Sequence, residues 1–243
     1  MKNKIQLSSA LIFAAALISL FTIRDIYAQP RFQGGINFEM GFPQGDFESN
    51  VDNVGLGMGL DFTVSPKLLP IGIGGSFTFL NYGSDTRREP FSTTIPDVTV
   101  KVETQNSILQ GFLLLRLQPN SGFVRPYIEG LLGFNYLFTE TKIKDEQDQE
   151  EIASSTNFDD FTSSYGAGGG IMIQVFDGTK RMPPGMGRAP IVLIDLRVRY
   201  LQGGEAEYLK EGSIIRDNGN LLYDVSKSDT DLVTGHIGLV VEF

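Results

Sequence analysis

Cysteine is absent from this 243-residue chain. That excludes disulfides, thiolate metal sites, cysteine nucleophiles and a lipid-modified N-terminal cysteine, while fitting either redox compartment. Long apolar runs are scarce as well. With 41% hydrophobic and 20% charged residues, nothing beyond the first segment reads as a spanning helix. Positive charge is in deficit: 20 Lys and Arg stand against 29 Asp and Glu, a net charge of −9. Phosphate binding wants a basic surface, so nucleic acid is excluded as a partner class.

Residues 1–28 have the form of a cleaved secretory signal. Lys2 and Lys4 precede an apolar stretch from Leu11 to Ile23, and Ala28 offers a small residue before Gln29. Loss of Lys2, Lys4, Arg24 and Asp25 takes the net charge from −9 to −11. The mature chain, 29–243, is then an acidic protein exported across a membrane.

Within that chain the dominant signal is alternation. Val233, Gly235, Ile237, Leu239, Val241 and Phe243 share one face of a strand, and Thr234, His236, Gly238, Val240 and Glu242 share the other. One face is apolar and ends in an aromatic ring; the other is mostly small or polar. The pattern recurs over 32–42, 54–64, 71–79, 98–117, 127–138, 165–175 and 192–201. In the strand over 98–117, Val100 and Val102 lie on the opposite parity to Leu109, Leu113 and Leu115, which predicts a bulge near Gln105. The 28 glycines suit strands that curve tightly around a narrow interior.

About ten alternating residues, tilted, cross a bilayer. A soluble barrel or sandwich would alternate in the same way, but three features favour a membrane. Glu39, Glu129, Asp195, Arg197 and Arg199 share the face of the small residues. Aromatics such as Phe32, Phe42, Phe79, Phe138, Tyr165 and Tyr200 gather near strand ends, as at lipid interfaces. The sequence also finishes on a strand, at Phe243. Connections over 83–97, 142–161 and 202–230 read as long polar loops, and 44–53 as an intermediate one, while those near Ser65 and Pro119 are short. The expectation is an all-β, eight-stranded antiparallel up-and-down transmembrane β-barrel in an outer membrane. Its N-terminus and short turns face the periplasm, and its long loops are extracellular. The connection over 177–190 is too long for a periplasmic turn.

A signal, eight alternating strands and a terminal aromatic resemble the small outer-membrane barrel family that includes OmpA-type and OmpX-type proteins. The resemblance covers about residues 30–243. It implies that Ile237, Leu239, Val241 and Phe243 form the signal read by the barrel-assembly machinery. It also implies contact with membrane lipid and lipopolysaccharide. No wall-binding domain follows Phe243, so a cell-wall anchoring role does not carry over.

His236 is the only histidine. The lipid-deacylating barrels, to which a lone barrel histidine invites comparison, place a serine two residues after their histidine; here that position is Gly238. The expectation is therefore a hydrogen-bonded lumen histidine and no catalysis. Gly55–Gly59 and Gly166–Gly170 precede no helix and no Gly-Lys-Ser/Thr, so they read as small inward faces rather than phosphate loops. Asp145, Glu146, Asp148, Glu150 and Glu151 lack the spacing of a calcium loop. No cofactor and no metal are expected. Glu39, Asp61, Arg116, Glu129, Asp195, Arg197, Arg199 and Glu242 all point inward, where charges must be paired. They predict a cross-linked plug, with Glu39 and Glu129 between Arg197 and Arg199. Phe112, Leu114, Leu131, Leu193 and Leu201, also inward, keep a porin-like barrel for a small solute or apolar ligand as the alternative. The first reading of function is a structural or surface-interaction role, in which the acidic external loops meet partners outside the cell.

Overall fold

The structure is a computed structural model. It describes residues 30–178 and 189–243, apart from 52, 67–68, 93–94, 146–150 and 218–219. The signal segment and most of the 177–190 connection lie outside the described residues.

Chain order runs β1 (Arg31–Pro43), α1 (Gly45–Asn50), β2 (Gly55–Ser65), β3 (Ile71–Ser92), β4 (Ile95–Leu117), β5 (Val124–Asp145) and β6 (Glu151–Asp177). It continues with β7 (Ile191–Gly203), β8 (Glu205–Asp217), β9 (Asn220–Asp229) and β10 (Leu232–Glu242). Eight of these strands close antiparallel into a barrel in the order β1-β10-β7-β6-β5-β4-β3-β2, while β8 and β9 form a separate hairpin. The seam is β1 on β10, with Gln33 opposite Glu242, Glu39 opposite His236 and Pro43 opposite Leu232. The ladder continues where Phe243 and Phe32 exchange both backbone hydrogen bonds.

The strands differ in length for a physical reason. β1, β2, β7 and β10 have 11–13 residues, enough for the barrel wall alone. β3 to β6 have 22–27 residues and project as paired ribbons beyond one end of it. Most of the segments 83–97, 142–161 and 202–230, read above as loops, therefore belong to strands. Their polar residues do not alternate because much of both faces meets water, yet the two arms of a hairpin still satisfy each other's backbone groups. At the opposite end the connections are tight. Gly122, at φ +130°, takes a conformation that side chains disfavour, and its carbonyl accepts from Arg125 Nε at 3.1 Å.

The bulge also moves. β4 pairs with β5 in unbroken register through Gln105, opposite Glu140. The irregularity is on β3 between Asn81 and Gly83, so Tyr82 is the extra residue. Val100 and Val102 thus share the inward parity of Phe112 and Leu114, and both are buried. They do so on the stretch of β4 that rises toward β8, which packs against it.

That cover closes the mouth. Phe47 of α1 is wholly buried and meets Tyr208 of β8 edge-on at 5.1 Å and Tyr82 at 5.8 Å. Tyr82 Oη donates to the Leu209 carbonyl at 3.2 Å, and Arg87 donates to that of Ile214 at 3.0 Å. Below them Leu80, Ile108, Phe112, Leu114, Leu131, Leu137, Leu201 and Leu232 complete one apolar cluster.

Candidate functional site

The barrel's polarity is inverted relative to a water-soluble core. Leu113 is 71% exposed on the outer face, whereas Arg199 is 2% exposed inside. Phe38, Met58, Leu60, Phe77, Leu132, Val198 and Ile237 continue the exposed apolar surface around the ring.

Asp61, Arg116, Glu129, Asp195, Arg197 and Arg199 meet in the middle of the lumen, brought together from β2, β4, β5 and β7. Arg197 clamps Asp61 with both terminal nitrogens, at 2.7 and 3.1 Å. Arg199 donates to Glu129 at 2.7 Å, to Asp61 at 3.3 Å and to Ser76 at 3.1 Å. Arg116 gives two bonds to the other Glu129 oxygen, at 2.7 and 3.0 Å, and lies over the Tyr127 ring at 4.4 Å. Asp195 accepts from Tyr127 Oη at 2.7 Å and lies 3.8 Å from Arg197 Nε. Three guanidiniums thus share three carboxylates. β6 makes room by presenting bare backbone: a Cβ on Gly168 would come within 2.8 Å of Arg199 Cγ, and one on Gly170 within 2.8 Å of Tyr127 Oη.

Two of the eight nominated charges go elsewhere. Asp61 occupies the position between the arginines that was nominated for Glu39. Glu39 instead faces His236, its cross-strand neighbour at the seam, with Oε2 3.3 Å from Nδ1. Glu242 lies at the short-turn end, where Arg125 and Gln33 each donate to it at 2.7 Å and Arg31 lies 3.4 Å away. Tyr127, Met172, Leu193 and Val240 form an apolar layer between this basal group and the central one. Arg31 and Arg125 were missed from sequence, although parity finds them: Arg31 matches Gln33, and Arg125 matches Tyr127 and Glu129. Thr234 was missed too. Two residues before His236 rather than after it, its hydroxyl lies 2.7 Å from Nε2. The Asn37 carbonyl and Glu39 favour the proton on Nδ1, leaving Nε2 to accept from Thr234. Thr234 is wholly buried against the packed lumen.

No protein-family model matches the sequence, and no curated protein matches it. Among solved structures the chain is similar to a major outer membrane protein from Thermus thermophilus, at 13% identity over 87% of this chain and 99% of that one, TM-score 0.40. It is similar to Neisserial surface protein A at 10% identity, 88% and 95% coverage, TM-score 0.33. The N-terminal barrel domain of Pseudomonas aeruginosa OprF gives 8% identity, 88% and 100% coverage, TM-score 0.31. Likeness this distant adds no argument to the strand pairing and burial above.

The remaining nominated residues sort by place. Ile237 and Leu239 are exposed on the outer face of β10, Val241 is half-buried there, and Phe243, just past its end, is exposed. Both glycine runs lie within strands, β2 and β6. Residues 146–150 of the acidic run lie outside the described residues. Among the described residues no three His, Asp or Glu side chains gather as a metal site. Above the barrel, Glu103 of β4 sits between Lys101 and Lys144, its oxygens within salt-bridge distance of both. Hydrogen bonding to these two ammonium groups, Lys101 first, holds its carboxyl below the usual carboxylate value. Burial pushes the Tyr208 hydroxyl up from its ordinary value.

Proposed function

We propose that this chain is an integral outer-membrane barrel of eight transmembrane strands, plugged along its axis, that serves as a rigid stalk for a surface-interaction platform. The inverted polarity carries the reading: an apolar belt outside and a paired ionic core inside are what lipid on one side and a narrow lumen on the other require. In this reading the end bearing Arg31, Gly122 and Phe243 faces the periplasm. The β3–β6 ribbons, α1 and the β8–β9 hairpin stand outside the cell. The belt contacts membrane lipid and the inner reaches of lipopolysaccharide. β10 carries the signal for the assembly machinery, because its pairing with β1 is the closure itself.

Three packed layers oppose transport: the basal Glu242 group, the central arginine cluster, and the apolar cluster under Phe47. The inward Phe112, Leu114, Leu131 and Leu201, which from sequence could have lined a ligand cavity, pack against one another and the cover. No catalytic role is part of the reading. Planar-bilayer recording on the refolded protein tests it. Little steady conductance is expected, and a large, stable wild-type conductance would overturn the plug.

A further inference from the structure

β9 shares with β8 alone a place outside the barrel's ladder. It pairs with β8 on one side only, with Leu209 opposite Val225 and Ile214 opposite Tyr223, and belongs to a two-stranded sheet. Its other edge carries backbone donors and acceptors that no strand takes up among the described residues. Edge strands of this kind are normally blunted by lysine, proline or a cover. Here the sole lysine of β9, Lys227, is engaged by Glu205 of β8 at 2.8 Å. Leu222, Tyr223 and Val225 are all exposed. These side chains lie beyond the barrel wall, where the lipid that accounts for the belt is absent. β8 explains the asymmetry. Its Tyr208, Leu209 and Ile214 are buried, whereas Leu222, Tyr223 and Val225 of β9 are exposed, although β9 also packs against α1.

Taking the surface role above as given, we infer that the free edge of β9 is a docking strand for an extended segment of another protein, one that alternates apolar with basic residues. Strand addition supplies the backbone bonds, and Leu222, Tyr223 and Val225 supply apolar contacts. Charge selects the occupant. Asp224 lies at the centre of the exposed run, with Glu207 on the neighbouring strand and Asp229 at the end of β9, while Glu205 is paired with Lys227. A second copy is disfavoured by the same charges. Antiparallel pairing of β9 with its twin about this centre sets acid toward acid, between two acidic chains.

The test uses the refolded full-length mature chain in phospholipid vesicles. Three fluorescent decapeptides serve as probes: one alternating Lys with Val and Tyr, its Glu-for-Lys counterpart, and the basic peptide interrupted by two prolines. Fluorescence anisotropy should show saturable binding of the first alone. Leu222→Ser combined with Val225→Ser should weaken it about tenfold or more, and Asp224→Lys should move preference toward the acidic peptide. Equal binding of the proline-interrupted peptide, or undiminished binding by the double serine variant, would overturn strand addition. Dimerisation in detergent by analytical ultracentrifugation, lost in the double serine variant, would give the edge to a second copy and overturn the inferred occupant. Heat-modifiable gel mobility and circular dichroism run on every variant separate these outcomes from failure of the barrel. If the wild type does not insert into vesicles, the membrane reading fails, whatever the peptides do.

Discussion

Replacing Glu129 by glutamine removes one charge from the lumen and almost no volume. Glu129 is the hub of the central cluster: one oxygen takes two bonds from Arg116 and the other takes Arg199 Nε, with Arg197 at 3.8 Å. After the change three guanidiniums share Asp61 and Asp195, in side chains with almost no exposure. Breaking one partner of a buried ion pair costs about 3–5 kcal/mol. Glutamine keeps a carbonyl acceptor for one arginine, so the lower end, about 3 kcal/mol, is expected. That is a large share of a stability on the order of 5–15 kcal/mol. Urea unfolding in phospholipid vesicles, followed by circular dichroism and gel mobility, measures it. Arg116→Gln on the same background removes the cation most dependent on Glu129 and should recover about 1 kcal/mol or more, a coupling typical of contacting groups. A single variant within about 0.5 kcal/mol of wild type, or strict additivity in the pair, would refute the ionic plug as a stabilising unit.

Leu196 is exposed on the outer face of β7, between the inward Asp195 and Arg197. Leu196→Arg should cost about 2–4 kcal/mol if it meets the bilayer midplane, read by the same urea assay; a harmless change would remove β7 from the lipid. Glu103 governs the ribbons instead. Its folded-state value is depressed, so its contribution is complete above the unfolded-chain value and is lost as pH falls through the folded one. Hydrogen exchange at the Glu103–Lys142 rung, corrected for intrinsic pH dependence, should therefore quicken on acidification below the ordinary carboxylate range, and Glu103→Gln should remove that response. A flat profile in wild type would show that the Lys101–Glu103–Lys144 contact does not hold the ribbon.

The wall of the barrel was legible because parity is local. On β1, β2, β7 and β10 each side chain's facing follows from its neighbours two residues away; Glu39, Asp61, Asp195, Arg197, Arg199 and Glu242 were found that way, and Arg31 at the start of β1 was not. Pairing across the lumen is not local. Whether Asp61 or Glu39 reaches Arg197 depends on tilt and stagger accumulated around the ring, which no single strand encodes. The ribbons were missed for a different reason. Segments such as Glu151–Phe161 present serine, threonine and aspartate on both faces, so the alternation that marks a half-buried strand is missing even though the backbone pairs. The parity conflict in β4 was real, but it was resolved by the bulge at Tyr82 and by cover from β8. Neither is visible without knowing that a hairpin between β7 and β10 folds back over the mouth.

The bare face of β6 has a consequence for how the barrel finds its dimensions. Alternation forbids a one-residue slip of β7 against β6, since that would turn every side chain inside out. It is silent about a slip of two, which keeps outward residues outward and lumen residues toward the lumen. Such a slip would carry Arg197 to the height of Arg199, take Arg199 itself past Asp61 and Glu129, and set Asp195 at the height where Arg197 now meets Asp61, while Tyr127 stayed beside Gly170. Belt and girdle would be unchanged, yet Arg199 would be stranded and Asp195 would face Asp61. The cluster thus works as a vernier: oil and water choose the side each residue faces, and the arginines choose the offset, hence the tilt and bore of the closed barrel.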